Sequence, residues 1–127
     1  RKQLQAAAEE CLIMRKDTYQ SCLVLYPESA GNEQMNQLRN RLNRWDPKHQ
    51  MIFRPFVSDV EIITLDSNGR FLIPKRYLKL ANIEQEVRFI GMDDTIEIWS
   101  KETTEKPFMS PDDFGKELAE IMSVPTF

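Results

Sequence analysis

The chain has 127 residues, of which 41% are hydrophobic, enough to bury the modest core of one compact unit. No apolar run approaches the roughly 18 residues of a membrane-spanning helix, and no signal-peptide pattern is present, so a soluble cytoplasmic protein is expected. The formal net charge of −3 excludes a protein that coats nucleic acid through bulk positive charge, and any DNA contact must therefore be local.

The charge is unevenly placed. Between residues 67 and 83 stand Arg70, Lys75, Arg76 and Lys79 with no acid among them, whereas from Asp93 onward three lysines face nine acids. Cys11 and Cys22 lack the close pairing of a zinc site and lie in apolar surroundings, which makes both of them expected buried, reduced thiols. The chain opens on Arg1 with no methionine, so an upstream segment is expected to be absent from it.

Residues 1–10, with Leu4 and three successive alanines, favour the tail of a helix. Cys11 to Met14 and Cys22 to Tyr26 are apolar runs of strand length and form an expected strand pair. From Asn32 to Trp45 the residues Met35, Leu38, Leu42 and Trp45 recur at helical steps, predicting one helix with a buried stripe and with Arg39, Arg41 and Arg44 on its solvated face. Asp46-Pro47 has the form of an N-cap followed by a first-turn proline, starting a second helix that Pro55 should kink or end.

Glu61 to Leu65 and Phe71 to Ile73 flank Asn68-Gly69, the dipeptide best suited to positive φ at both positions of a tight turn, and predict a hairpin. Pro74 then opens a basic helical segment to about Leu80, followed by strands at Val87 to Ile90 and Ile96 to Trp99 joined through a turn at Asp93-Asp94. Ser110-Pro111-Asp112-Asp113 predicts a capped final helix carrying Phe114, Leu118, Ile121 and Met122 as its apolar stripe.

Cys22-Leu-Val-Leu-Tyr26 matches Thr95-Ile-Glu-Ile-Trp99 position for position, and the helix-then-strand segments before them correspond in kind. The pattern is an incomplete tandem repeat: the second copy has a strand, the Asp66 to Arg70 turn, a strand, Pro74 and a helix before its last strand pair, while the first copy lacks everything before the helix. Two such halves can solve the burial problem by interleaving around one core.

No Gly-rich phosphate loop, nucleophile elbow or paired cysteine cluster is present, and the single histidine, His49, has no nucleophile or metal partner nearby in sequence. An enzyme is not expected, nor a cofactor, a metal or a small-molecule substrate. Arg70, beside a tight turn, is suited to clamp a phosphate or reach a guanine edge, with a structural ion pair to Asp66 as its bland alternative. Lys75, Arg76 and Lys79 could follow a DNA backbone, or simply be solvated as charge runs on short helices are.

Asp66, Gly69, Arg70, Ile73 and Pro74 reproduce an Asp-x-x-x-Arg signature followed by an Ile-Pro helix start. Leu25-Tyr26-Pro27, Val87-Arg-Phe-Ile-Gly91 and Ile96-Glu-Ile-Trp99 stand in the matching order and spacing, and on these residues the chain, from Arg1 to about Lys101, resembles the MraZ family of the SpoVT/AbrB-like swapped-hairpin class. Leu78 stands where that family often has an arginine, and Ala30-Gly31 where it often has a tryptophan.

The resemblance implies an α+β fold with a swapped-hairpin AbrB-like β-barrel core made from tandem repeats, with inserted helices and a C-terminal helix. It divides the chain into 1–31, the remainder of a first AbrB-like repeat; 32–57, a helical insertion; 58–102, the second repeat; and 103–127, a helical tail. It further implies a transcriptional regulator of the cell-division and cell-wall gene cluster. Such a protein is nucleoid-associated and assembles as a homo-oligomeric ring on double-stranded DNA with repeated short boxes, making contact through Arg70, Lys75, Arg76 and Lys79 on the framework of Asp66, Asn68, Gly69 and Pro74. An antitoxin-type protein-interaction module of the same class is the alternative, since the tail is acidic; the helical patterning of Ser110 to Met122 weighs against an extended toxin-binding tail.

Overall fold

A computed structural model describes residues 11–125, and the helix expected over 1–10 lies outside the described residues. Strands β1 (Leu12–Lys16) and β2 (Leu23–Pro27) form an antiparallel pair, and helices α1 (Glu28–Arg41) and α2 (Pro47–Ser58) follow. The short strand β3 (Glu61–Ile63) precedes the basic helix α3 (Lys75–Leu80), and β4 (Val87–Met92) and β5 (Thr95–Ser100) form the second antiparallel pair. A single-turn helix α4 (Lys101–Thr104), unforeseen from sequence, and α5 (Pro111–Met122) complete the chain.

The fold is α+β, built on one five-stranded antiparallel sheet in the order β3-β1-β2-β5-β4. The two segments that match in sequence pair with each other at its centre. Leu23 lies opposite Ile98, Val24 opposite Glu97 and Leu25 opposite Ile96, so the equivalent positions Val24 and Glu97 face one another and the pairing runs symmetrically outward from them.

The main buried cluster lies on one side of this sheet, and Cys22, Tyr26, Ala30 and Trp99 are buried outside it. Leu12, Met14, Leu23, Leu25, Ile63 and Ile98 point inward at alternate strand positions and are covered by Tyr77, Ala81 and Ile83 from α3 and its exit, with Leu65, Phe71, Ile73, Leu78 and Ile96 packed around them. Helix α3 therefore owes its place to Tyr77, which is wholly buried, more than to its charges.

The described sheet is open and not closed into a barrel, with β3 and β4 at its edges. The physical reason lies at the expected hairpin: β3 spans only three residues, and Phe71 to Ile73 joins no ladder. That segment keeps the alternation of a strand, with Phe71 and Ile73 turned to the core and Leu72 90% exposed, but has no partner strand among the described residues.

Three further expectations are corrected. Helix α1 ends at Arg41, so Trp45 lies outside it and is 85% exposed, and Met35, Leu38 and Leu42 are only partly buried. Asn43 is the breaker: its side-chain oxygen accepts from the Trp45 N–H, while its own N–H donates to His49 Nδ1, and these local bonds compete with the helix. Helix α2 does start at an Asp46 cap, whose carboxylate accepts from the Lys48 N–H, but of the two outcomes expected at Pro55 the ending does not occur, and the helix continues to Ser58. The bond that proline removes falls on an exposed turn, where water can replace it. Cys22 is buried as expected, but Cys11 is exposed.

Helix α3 closes on a left-handed residue, Asn82 at φ 56°, with the Ile83 N–H donating to the Leu78 carbonyl and the Asn82 N–H to the Lys79 carbonyl. This is the Schellman arrangement, and the buried Ile83 supplies its apolar contact.

Candidate nucleic-acid interface

The Asp66 to Arg70 turn is built from the main chain outward. The Gly69 N–H donates to the Asp66 carbonyl at 3.0 Å, and the Asp66 N–H donates to the Arg70 carbonyl at 2.8 Å. Gly69 has φ 76°, whereas Asn68 stays at negative φ, so positive φ at both turn positions is not what forms. The geometry is a three-residue loop, a type I turn followed by a left-handed glycine. One oxygen of the Asp66 carboxylate accepts from both the Asn68 and the Arg70 N–H, each at 2.8 Å.

The loop is thereby stiff, and Leu65 on one side with Phe71 and Ile73 on the other root it in the core. Arg70 is exposed, and its guanidinium makes no hydrogen bond or ion pair among the described residues. The alternative of an Asp66–Arg70 side-chain ion pair is not formed; the carboxylate is used on the backbone.

Lys75 and Lys79, one helical turn apart on α3, are likewise exposed and without partners among the described residues. Lys79 sits in the last turn, where a cation complements the helix dipole. Arg76 differs. Its Nη1 lies 3.1 Å from Asp59 Oδ1, its Nη2 donates to the Tyr77 hydroxyl at 2.8 Å, and its guanidinium carbon is 4.4 Å from the Tyr77 ring centroid. Arg76 ties α3 to the end of α2, whereas the side chains of Arg70, Lys75 and Lys79 have no partner among the described residues. Pro74, at the N-cap position, sets the start of α3 directly after the loop.

Sequence reasoning passed over Arg15, which is a structural arginine. Its Nε donates to the Tyr26 hydroxyl at 2.9 Å and its Nη2 to the Phe56 carbonyl at 2.7 Å, with the guanidinium carbon 4.1 Å from the Phe56 ring centroid. It joins β1, β2 and α2, a role that a single Arg between two apolar runs does not advertise. Gly31 was equally silent: a Cβ there would lie 2.7 Å from the buried Tyr26 ring.

Elsewhere, Asp17, Cys22 and Glu97 bring ligand-type atoms within 4.8 Å of one another. One Asp17 oxygen already accepts from the Tyr19 and Gln20 N–H groups, and Glu97 accepts from the Trp99 indole. Burial first, and then Glu97 and Asp17, push the Cys22 thiol up to about 12, so it is a protonated thiol at neutral pH and not a nucleophile. His49 accepts a backbone hydrogen bond at Nδ1 and has its Nε2 3.7 Å from Asp46, a structural use at the α1–α2 turn. Among the described residues no helix is long and apolar enough to cross a membrane.

The molecule is thus an α+β protein in which a hydrogen-bonded basic turn follows the edge strand β3 and a short basic helix covers one face of the antiparallel sheet. The family profile described as "MraZ protein, putative antitoxin-like" matches residues 57–110, the stretch that contains both elements. A protein of Phocaeicola vulgatus named Transcriptional regulator MraZ is 78% identical over 96% of this chain and 79% of its own length. Proteins of the same name from Bacteroides thetaiotaomicron and Christiangramia forsetii are 67% and 34% identical, over 97% and 96% of this chain and 79% of each relative. The chain belongs to the MraZ family.

Proposed function

We propose that the chain is a transcriptional regulator that binds double-stranded DNA carrying repeated short boxes, and that the Asp66 to Arg70 loop with the N-terminal turn of α3 is its reading surface. The observation that carries this is the contrast at Arg70: its main chain is fully engaged, and its guanidinium has no partner among the described residues. A rigid turn with an unpaired arginine at its edge spends little entropy in ordering that backbone on a ligand. Arginine is also the side chain that matches phosphate oxygens or a guanine edge with two donors.

Lys75 and Lys79 extend the surface as phosphate contacts that fix register. Arg76 contributes charge but acts chiefly by fixing α3 against α2. The overall charge of −3 repels nucleic acid at long range, so recognition depends on this local patch.

Within the same proposal, the tandem halves form an AbrB-like swapped-hairpin core, copies assemble as a homo-oligomeric ring, and the target lies upstream of the cell-division and cell-wall gene cluster in a nucleoid-associated setting. The names of the relatives support regulation of transcription. The test is selection of duplexes from a random library by the full chain, followed by binding of the enriched duplex by wild type and Arg70→Ala. Enrichment of a repeated box that Arg70→Ala no longer binds is expected. Enrichment of nothing above background would overturn the proposal.

A further inference from the structure

Two exposed surfaces of the chain complement one another. On α5 the side chains of Phe114, Leu118, Ile121 and Met122 form an apolar stripe at helical spacing, and they are 50%, 47%, 67% and 75% exposed. No residue of α5 is buried, although Ser110 caps the helix through the Asp113 N–H. Beside the stripe, Asp113, Glu117 and Glu120 recur at steps of four and three and make an acidic row with no side-chain partner among the described residues. A helix of twelve residues is marginal alone in water, so this pattern needs something to pack against.

The second surface lies where α1 meets α2. A groove of about 560 Å³ there is lined by Arg39, Leu42, Asn43, Arg44, Gln50 and Phe53. Its floor is apolar through Leu42 and Phe53, and Trp45, Met51 and Ile52 add exposed apolar area close by at 85%, 65% and 52%. From residue 34 to 58 five cations, Arg39, Arg41, Arg44, Lys48 and Arg54, stand against the single acid Asp46. The groove is thus apolar within and basic at its rim, whereas α5 is apolar on one row and acidic on the next.

We propose that α5 of one copy docks in the α1–α2 groove of a second copy of this chain, with Leu118 and its stripe seated over Leu42 and Phe53 and with Glu117 and Glu120 facing Arg39 and Arg44. This is the helix-in-groove mode. The contact is head-to-tail: each copy offers a different surface to each neighbour, so it propagates from copy to copy and closes only where the rotation allows. The inference rests on the self-association proposed above and names the surfaces that carry it. It involves neither Arg70 nor α3.

The test uses charge reversal in the full chain, with sedimentation velocity across micromolar concentrations at low and high salt. Glu117→Arg with Glu120→Arg, and separately Arg39→Glu with Arg44→Glu, are each expected to weaken assembly about tenfold or more. All four residues are exposed, so circular dichroism and melting should stay near wild type. The chain carrying all four changes is expected to recover assembly to within about threefold, because the pairing is restored with opposite sign. Mixing the two single-surface variants should restore assembly with the two alternating, because each helix then meets a groove of opposite charge on the other variant.

Wild type that stays monomeric throughout would overturn both the self-association and this contact, leaving the stripe to another protein. Wild type that assembles while neither reversal weakens it, or a fourfold variant that fails to recover although folded, would overturn this contact and leave self-association standing.

Discussion

Asp66 holds Arg70 through the main chain and not through the guanidinium: its N–H and one carboxylate oxygen engage the Arg70 carbonyl and N–H, both at 2.8 Å. The two residues of the signature therefore differ: Asp66 shapes the loop, and the Arg70 side chain has no partner among the described residues. Asp66→Ala removes the acceptor for two backbone N–H groups and should cost about 1 to 2 kcal/mol, the usual loss for a capping side chain. DNA binding should weaken in the same variant because Arg70 is no longer held in place. Asp66→Asn, which keeps one acceptor oxygen, should recover most of both. Thermal melting and gel shift on the pair check this, and an Asp66→Ala protein that melts and binds as wild type would remove the loop-shaping role.

Gly31→Ala tests the packing of α1 on the sheet. The added Cβ would stand 2.7 Å from a Tyr26 ring that is 2% exposed and whose hydroxyl is held by Arg15, so the ring cannot swing aside freely. A loss of about 1 to 3 kcal/mol is expected, as for overpacking elsewhere. Since Ala is intrinsically the better helix former by about 1 kcal/mol, any gain in stability would show that α1 and Tyr26 are not in this contact.

Cys22 supplies a chemical and a pH test. In the native protein the exposed Cys11 should react rapidly with a thiol reagent and Cys22 only after unfolding, so one equivalent titrates quickly and the second in denaturant. The folded thiol sits near 12 against an ordinary 9.0. Below about pH 9 both folded and unfolded chains hold the proton and the contribution to stability is constant. Between there and about 12 only the unfolded chain releases it, so stability should fall as pH rises. Cys22→Ala should flatten that alkaline decline; an unchanged decline would assign it to other groups.

Much of this architecture could be read from local chemistry. The Asp46 and Ser110 caps each define a helix start by a side chain acting on a backbone two or three residues away, and both form. The match of residues 22–26 with 95–99 identified two equivalent strands, although nothing in the match says that they pair with each other across the centre of the sheet. Misreadings arose where short-range hydrogen bonding competes with periodicity. The apolar spacing from Met35 to Trp45 is helical, yet Asn43 ends the helix by bonding its neighbours, and Trp45 is left in solvent. Asn68-Gly69 forms a turn, but the reach of the Asp66 carboxylate to two N–H groups favours the three-residue loop over the two-residue one. The site was legible in part: the side chains of Arg70, Lys75 and Lys79 are exposed and have no partner among the described residues. Arg76 does have partners, Asp59 and Tyr77, which come from the end of α2 and from its own helix.

The account is tested most directly by DNA affinity as a function of salt, measured by fluorescence anisotropy on the selected duplex with wild type and Arg70→Ala, alongside their melting curves. Arg70→Ala should bind more weakly by the equivalent of about 1 to 3 kcal/mol for each loop engaged. Its plot of log affinity against log salt should be shallower by about one for each lost phosphate contact. Its melting should be unchanged, since the side chain has no partner among the described residues. Equal affinity and equal slope in a folded Arg70→Ala protein would contradict the assignment of this loop as the DNA-reading surface.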